Sequence, residues 1–270
     1  MKRLNRITPA LACAALFAAA PSGATPIVSG FDAGLEGWKA VGFDFDVNIA
    51  LPPSLNITKT DNSADLAWDS GGDFDPAFDG NPGGFARFED EITNPGSFLE
   101  APAQFTGDLS SYAGQTIKYD HRIFNEGANA TSVGPYVIML ISGDLNDLNA
   151  YVSVQPGPML GDADTDWVTV SQTLDAANFT AVADVDLGIF DPAGSGITLS
   201  DIPLANFSTD KTFEEVLADV SSLIISFEMV DNNSTQVSET NGVDNVMLVP
   251  EPTSLALLGL GGLLVARRRR

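Results

Sequence analysis

Cysteine is almost absent from this chain. The single one, Cys13, sits inside an apolar N-terminal stretch, ahead of any plausible processing point. Disulfides, thiol catalysis and cysteine-ligated metal are therefore excluded for everything downstream of it. Histidine is equally scarce. His121 is the only one, so a histidine-based zinc site lacks ligands, and a Ser-His-Asp triad would have to use this one residue. Basic residues number 13 against 36 acidic ones. Long hydrophobic runs are missing too. The two apolar stretches, 10–20 and 255–266, each fall short of the ~20 residues that span a bilayer as a helix.

What is present is concentrated first at the two ends. Lys2, Arg3 and Arg6 precede the apolar stretch Ala10–Ala20, and small residues follow at Ser22 and Ala24. A basic start, an apolar middle and a small-x-small site make a secretory signal peptide, with cleavage expected after Ala24. At the other end Pro250, Glu251 and Pro252 precede the apolar run Leu255–Ala266, and the chain finishes with Arg267, Arg268, Arg269 and Arg270. Four terminal arginines hold such a run with its end on the cytoplasmic side.

These elements, in this order, resemble the PEP-CTERM sorting signal of Gram-negative bacteria. The resemblance implies an exosortase that removes the tail near the motif and export machinery that delivers the chain to it. It also implies a transient stay in the inner membrane, then release to the cell surface or extracellular matrix material such as biofilm. The expected organisation is a signal peptide at 1–24, one domain at 25–248 and a sorting segment at 249–270. A signal helix and a hydrophobic helix are expected at the two ends.

Without its ends the chain changes character. Lys39, Lys59, Arg87, Lys118, Arg122 and Lys211 are the only basic residues left, and all 36 acids lie between Asp32 and Glu251, a net charge of about −30. Nucleic acid and anionic lipid surfaces are poor partners for such a body. Asp outnumbers Glu, and Gly and Pro are frequent, which favours turns over helices. Alternating patterns predict strands at 97–105, 116–124 (Ile117, Tyr119, His121 and Ile123 on one face), 151–154, 167–174, 222–229 and 243–249. The continuous apolar run Val137–Ile141 predicts a strand buried on both faces. Phe213, Val216, Leu217 and Val220 have helical spacing, and Thr212 with Glu215 has that of a capping box. Residues 44–84 are the least patterned and read as an acidic loop region with loose strands. The expected fold is an all-β, antiparallel jelly-roll sandwich with one short helix.

Several blocks resemble the laminin B (laminin IV type A) domain. They are Phe31-Asp32-Ala33-Gly34-Leu35-Glu36-Gly37-Trp38, Asn81-Pro82-Gly83-Gly84, Phe98–Phe105, Gly107-Asp108-Leu109-Ser110-Ser111-Tyr112, Phe213–Leu217 and Gly242-Val243-Asp244-Asn245-Val246. The resemblance spans residues 31–248. It implies a β-sandwich related to carbohydrate-binding modules, with no established catalytic activity. In jelly-roll binding modules an acid of the first strand and an Asp of the last often hold a structural Ca²⁺. The matching positions are Asp32 and Asp244, whose oxygens suit that ion.

Among the tryptophans, Trp38 is expected in the core, and Trp68, in the variable acidic stretch, is the candidate for stacking on a sugar. Asp162-Ala163-Asp164-Thr165-Asp166 begins like a calcium loop, but Trp167 and Thr173 stand where an EF-hand needs Gly and Glu, so it reads as an acidic turn. The expectation is a non-catalytic exported protein that binds extracellular polysaccharide or surface partners. A self-associating structural matrix component and a carbohydrate-active enzyme using a carboxylate pair are the alternatives.

Overall fold

The computed structural model describes residues 24–48, 54–61, 66–70, 83–90, 98–125, 132–144, 147–157, 166–182, 207–208, 210–227, 230–231 and 239–249. The expected signal helix, the C-terminal hydrophobic helix, the Pro250-Glu251-Pro252 motif and the four terminal arginines lie outside these residues. Among the described residues no helix is long and apolar enough to cross a membrane.

Two antiparallel sheets face each other. The first holds β1 (Ile27–Ser29), β4 (Leu66–Asp69), β5 (Phe85–Asp90), β7 (Thr116–Asn125), β11 (Val168–Thr173) and β16 (Glu239–Val249). Their order is β11-β7-β16-β5-β4, with β1 paired to β16. The second holds β2 (Lys39–Asn48), β3 (Ser54–Asp61), β6 (Phe98–Glu100), β9 (Tyr136–Asp144), β10 (Asp147–Gln155), β12 (Thr180–Ala181), β13 (Phe207–Ser208) and β14 (Ser222–Ser226). Its order is β12-β10-β9-β14-β6-β2-β3, with β13 beside β10 in the one parallel pairing described. Two short strands, β8 (Ser132–Val133) and β15 (Val230–Asp231), pair with each other.

Alternation decides what each strand buries. Ile117, Tyr119, His121 and Ile123 of β7 all turn inward and are buried, as their spacing predicts. They meet Ile138, Leu140, Leu223 and Ile225 of the second sheet in one core. Ring contacts bridge the sheets: Phe88 lies 5.1 Å from Phe227, and Tyr119 lies 6.4 Å from Tyr136. Val137, Met139 and Ile141 point the other way from β9. With Val41, Phe98, Leu148, Val152 and Ile224 they form a second buried apolar cluster on the far face of that sheet. The continuous apolar run is thus a strand covered on both faces.

Helix α1 (Phe213–Leu217) starts at the predicted capping box. The Thr212 hydroxyl accepts from the Glu215 N–H, and the Glu215 carboxylate accepts from the Thr212 N–H at 2.8 Å. That bond holds the Glu215 carboxyl below its ordinary range. One expectation needs correction. The strand predicted at 97–105 covers only β6, and the chain turns through a 3₁₀ helix at Ala103–Phe105. Pro102, which has no N–H to give a ladder, stands at that turn. The described residues within 44–84 complete β2 and supply β3 and β4, the strands that the acidic region was expected to hold beside its loops.

Candidate functional site

Local chemistry fixes the segment between β1 and β2. Trp38 donates its indole N–H to the Ser29 hydroxyl at 2.8 Å, and Ser29 donates to the Glu36 carboxylate at 2.6 Å. Trp38 packs 6.0 Å from Phe31 and 5.3 Å from Phe105 and is buried, as expected for a core tryptophan. Phe31 is also fully buried, yet it has φ of 52°, a left-handed conformation that L residues rarely adopt. Its carbonyl accepts the indole N–H of Trp68 at 2.6 Å. Trp68 is 40% exposed, on edge strand β4. A single hydrogen bond thus pins an exposed aromatic ring to the residue before Asp32.

Glycine makes this approach possible. A Cβ on Gly84 would stand 2.5 Å from Trp68 Nε1, 2.6 Å from the Phe31 carbonyl oxygen and 2.9 Å from that of Asp69. At Gly83, φ is +107°, and a Cβ would lie 2.8 Å from the Asp32 carboxylate. Asp32 itself is exposed. The structure therefore brings Asp32 and Trp68 to one nook, walled by the Gly83-Gly84 pair.

Asp244 lies where β16 changes partner. Val243 is opposite Ala86 of β5, whereas Val246 is opposite Ser29 of β1. On its other side the pairing with β7 slips between Asp244 and Met247, and Asn245 takes φ of 50°. One extra residue in β16 makes this a β-bulge. Asp244 is fully buried, its Oδ1 accepting the Asn245 N–H at 2.7 Å. Asp120, directly opposite it in β7, accepts from Thr169 at 2.6 Å and from the Asn245 side chain at 3.0 Å. Asp120 escaped sequence reasoning because only pairing register places it there. Asp32 and Asp244 offer oxygen donors alone, which fits Ca²⁺ in kind. Among the described residues no three acidic or imidazole side chains converge. An ion at this pair would thus need backbone carbonyls to reach six to eight ligands.

His121 is packed rather than poised. It is buried, stands edge-on to Tyr136 at 5.4 Å, and its Nε2 has no hydrogen-bond partner. Burial holds its pKa down to about 4, against a smaller opposing effect from a hydrogen bond with the Phe227 backbone. Neighbouring Tyr119 is raised above its usual range, again by burial. Of the acidic run 162–166 only Asp166 is among the described residues, and it is exposed. Trp167, just after it, wedges between Phe85 (5.6 Å) and Phe124 (5.8 Å) on the outer face of the first sheet.

Residues 248–270 match the PEP-CTERM protein-sorting motif. The match implies processing by an exosortase and delivery to the surface. The motif begins inside β16, whose Leu248 is fully buried. No curated protein matches the chain. Among solved structures it is similar to the L4b domain of human laminin alpha-2, at 12% identity, with 84% of this chain and 99% of that one covered and a TM-score of 0.43. It is also similar to CtCBM11, at 11% identity, with 86% and 98% covered and a TM-score of 0.41. A third is the family 30 carbohydrate-binding module of a cellulosomal cellulase from Clostridium thermocellum, at 13% identity, 81% and 96% coverage and a TM-score of 0.35.

Proposed function

We propose that this PEP-CTERM chain is a non-catalytic exported protein, built as a jelly-roll sandwich, that binds extracellular polysaccharide or a surface partner. The observation that carries this reading is Trp68. An exposed indole whose N–H is tied to the Phe31 carbonyl loses little further freedom when a sugar ring stacks on it. Such a flat apolar face beside a carboxylate, here Asp32, supplies both stacking and hydroxyl recognition. The non-catalytic part is supported by His121, which lies in the core and cannot reach a substrate. On a panel of immobilised polysaccharides, Trp68→Ala is expected to weaken binding by at least about 1 kcal/mol, the scale of an interface hot spot. Unchanged affinity in that variant would remove Trp68 from the site.

Within the same reading, Asp32 and Asp244 hold a structural Ca²⁺ that ties the segment after β1 to β16. Calcium titrated by calorimetry should then release or absorb heat. At a hundredfold excess over Kd, stability should rise by about 2.7 kcal/mol. Asp244→Asn should remove both effects, and absence of both in the wild type sinks the ion.

A second reading, a self-associating matrix component, draws support from β11. This strand lies at the edge of the first sheet, contains no charged residue and exposes Val168. An uncharged edge is open to strand pairing. Light scattering on the calcium-titrated samples separates the two: particles that grow favour assembly, and a constant size favours the binding protein.

A further inference from the structure

The two apolar stretches of the sequence, 10–20 and 255–266, join the body at one place. In the β1–β16 pair Ile27 is opposite Leu248, so the chain enters the sheet beside the point where it leaves it. Val249 is still paired, to Thr116 of β7, and Thr116 is paired in turn to Thr173 of β11. A 3₁₀ helix, Ser110–Tyr112, completes this pole. Tyr112 donates its hydroxyl to the Thr25 carbonyl, and the Gly114 N–H donates to the carbonyl of Leu174. Both ends are thus fixed to the same corner of the sandwich.

This pole is nearly free of charge. The segments that build it, 24–29, 103–118, 171–178 and 246–249, contain three charged residues, Asp108, Lys118 and Asp175. Lys118 offsets one of the two carboxylates. Thr25, Pro26, Gln104, Ser111, Ala113 and Ala177 are exposed there, and none carries a charge. The other end of β16 differs. It begins with Glu239 opposite Asp90, and the exposed Glu89 precedes Asp90 on β5. In a body of about −30, charge has been kept away from the corner where the chain enters and leaves.

We infer that this pole is the face on which the body rests against the membrane, with phospholipid headgroups as its partner while the sorting tail is held there. The inference rests on the membrane stay that the sorting signal implies, and it does not depend on any glycan. Tether length leads to it. Five residues, 250–254, separate Val249 from the apolar run, and fully extended they reach about 17 Å. The run 255–266 has 12 residues, which as a helix rise ~18 Å against a bilayer core of ~30 Å, so crossing draws the five inward and shortens the tether. Charge then decides orientation. So close to headgroups, with a screening length of ~8 Å, the body is repelled wherever its carboxylates face anionic lipid. Turning the neutral pole downward removes most of that cost. A protein partner would be met by aromatic or arginine anchors, and no such side chain is exposed among the described residues of the pole. A lipid surface asks only that like charge be absent.

The test uses the tailed chain after signal cleavage, residues 25–270, which contains no cysteine. Ser111→Cys on the pole or Ala67→Cys on β4, both exposed positions, carries an environment-sensitive dye. Each labelled protein is reconstituted into vesicles of phosphatidylcholine, alone or with phosphatidylglycerol, containing a lipid with a nitroxide on its headgroup. The dye at 111 should be quenched in both vesicles, and the dye at 67 in neither. Adding Ala113→Glu and Ala177→Glu should lower quenching at 111 at least about fivefold in the phosphatidylglycerol vesicles only, since one charge near an anionic surface is worth ~1 kcal/mol. Equal quenching at the two positions, or none at 111 in vesicles that hold the chain, overturns the inference alone. Quenching that the glutamates leave unchanged removes charge as its basis and overturns it too. Quenching at 111 in the producer's own membranes but not in pure lipid assigns the pole to a membrane protein instead. A chain that floats with neither vesicle overturns the membrane stay itself.

Discussion

Between pH 7 and pH 4 the domain is expected to lose about 3 kcal/mol of stability through His121 alone. The unfolded chain protonates this side chain at its ordinary value of 6.5, whereas burial holds it to about 4 in the fold. Below pH 6.5 the unfolded state therefore binds a proton that the folded state refuses. The stabilisation is complete above pH 6.5, declines as the pH falls and is fully lost by about pH 4. At 1.36 kcal/mol per pH unit the gap amounts to about 3 kcal/mol. That is a large fraction of the 5–15 kcal/mol typical of a domain. Acid also relieves the repulsion among the many carboxylates, which acts in the opposite direction. Urea unfolding of wild type and His121→Leu at pH 7, 5.5 and 4 separates the two effects, since both proteins share the carboxylates. The difference between their stabilities should shift by about 3 kcal/mol across the series, in favour of the variant at low pH. A difference that stays constant with pH would show that His121 can take its proton inside the fold.

Gly84→Ala is expected to cost about 3 kcal/mol, the upper end of what an extra methyl costs in a packed site. Two of the three atoms that the new Cβ would meet are backbone oxygens, those of Phe31 and Asp69, and neither can swing aside as a side chain can. The third is Trp68 Nε1, so the hydrogen bond that pins the indole must break as well. Denaturant unfolding gives the stability change, and polysaccharide binding gives its consequence at Trp68. The pair Trp68→Ala and Gly84→Ala/Trp68→Ala isolates the backbone part: most of the glycine's cost should persist without the tryptophan. A Gly84→Ala protein as stable as wild type would mean that the nook is looser than its distances state.

Sequence reasoning succeeded where structure is local. The inward face of β7, the doubly buried β9 and the α1 capping box each follow from spacing within a dozen residues. It failed where pairing carries the information. The strands in residues 44–84 are rich in Asp and Asn and are held by their neighbours rather than by their own propensity. The nook joins residues from three blocks far apart in the chain, and Asp120 meets Asp244 only through register. Gly84 and Gly242 stood in the blocks that resemble laminin B, but nothing in the chain says that an indole approaches one and three aromatic rings cover the other. Arg122 was indistinguishable from any surface base until the fold set its guanidinium carbon 4.6 Å from the centre of the Phe124 ring.

The position of β16 has a consequence for the timing of export. Among the described pairings, β4–β5, β7–β11 and β1 share no partner but this strand, which is the last before the sorting tail. A chain that emerges from its N-terminus first therefore holds three unjoined pieces of one sheet until residues 239–249 appear. Sheet closure then waits for the segment in which the sorting motif itself begins. The strand that joins these pieces and the sorting motif overlap at residues 248–249, so the seam of the sheet ends where the address begins.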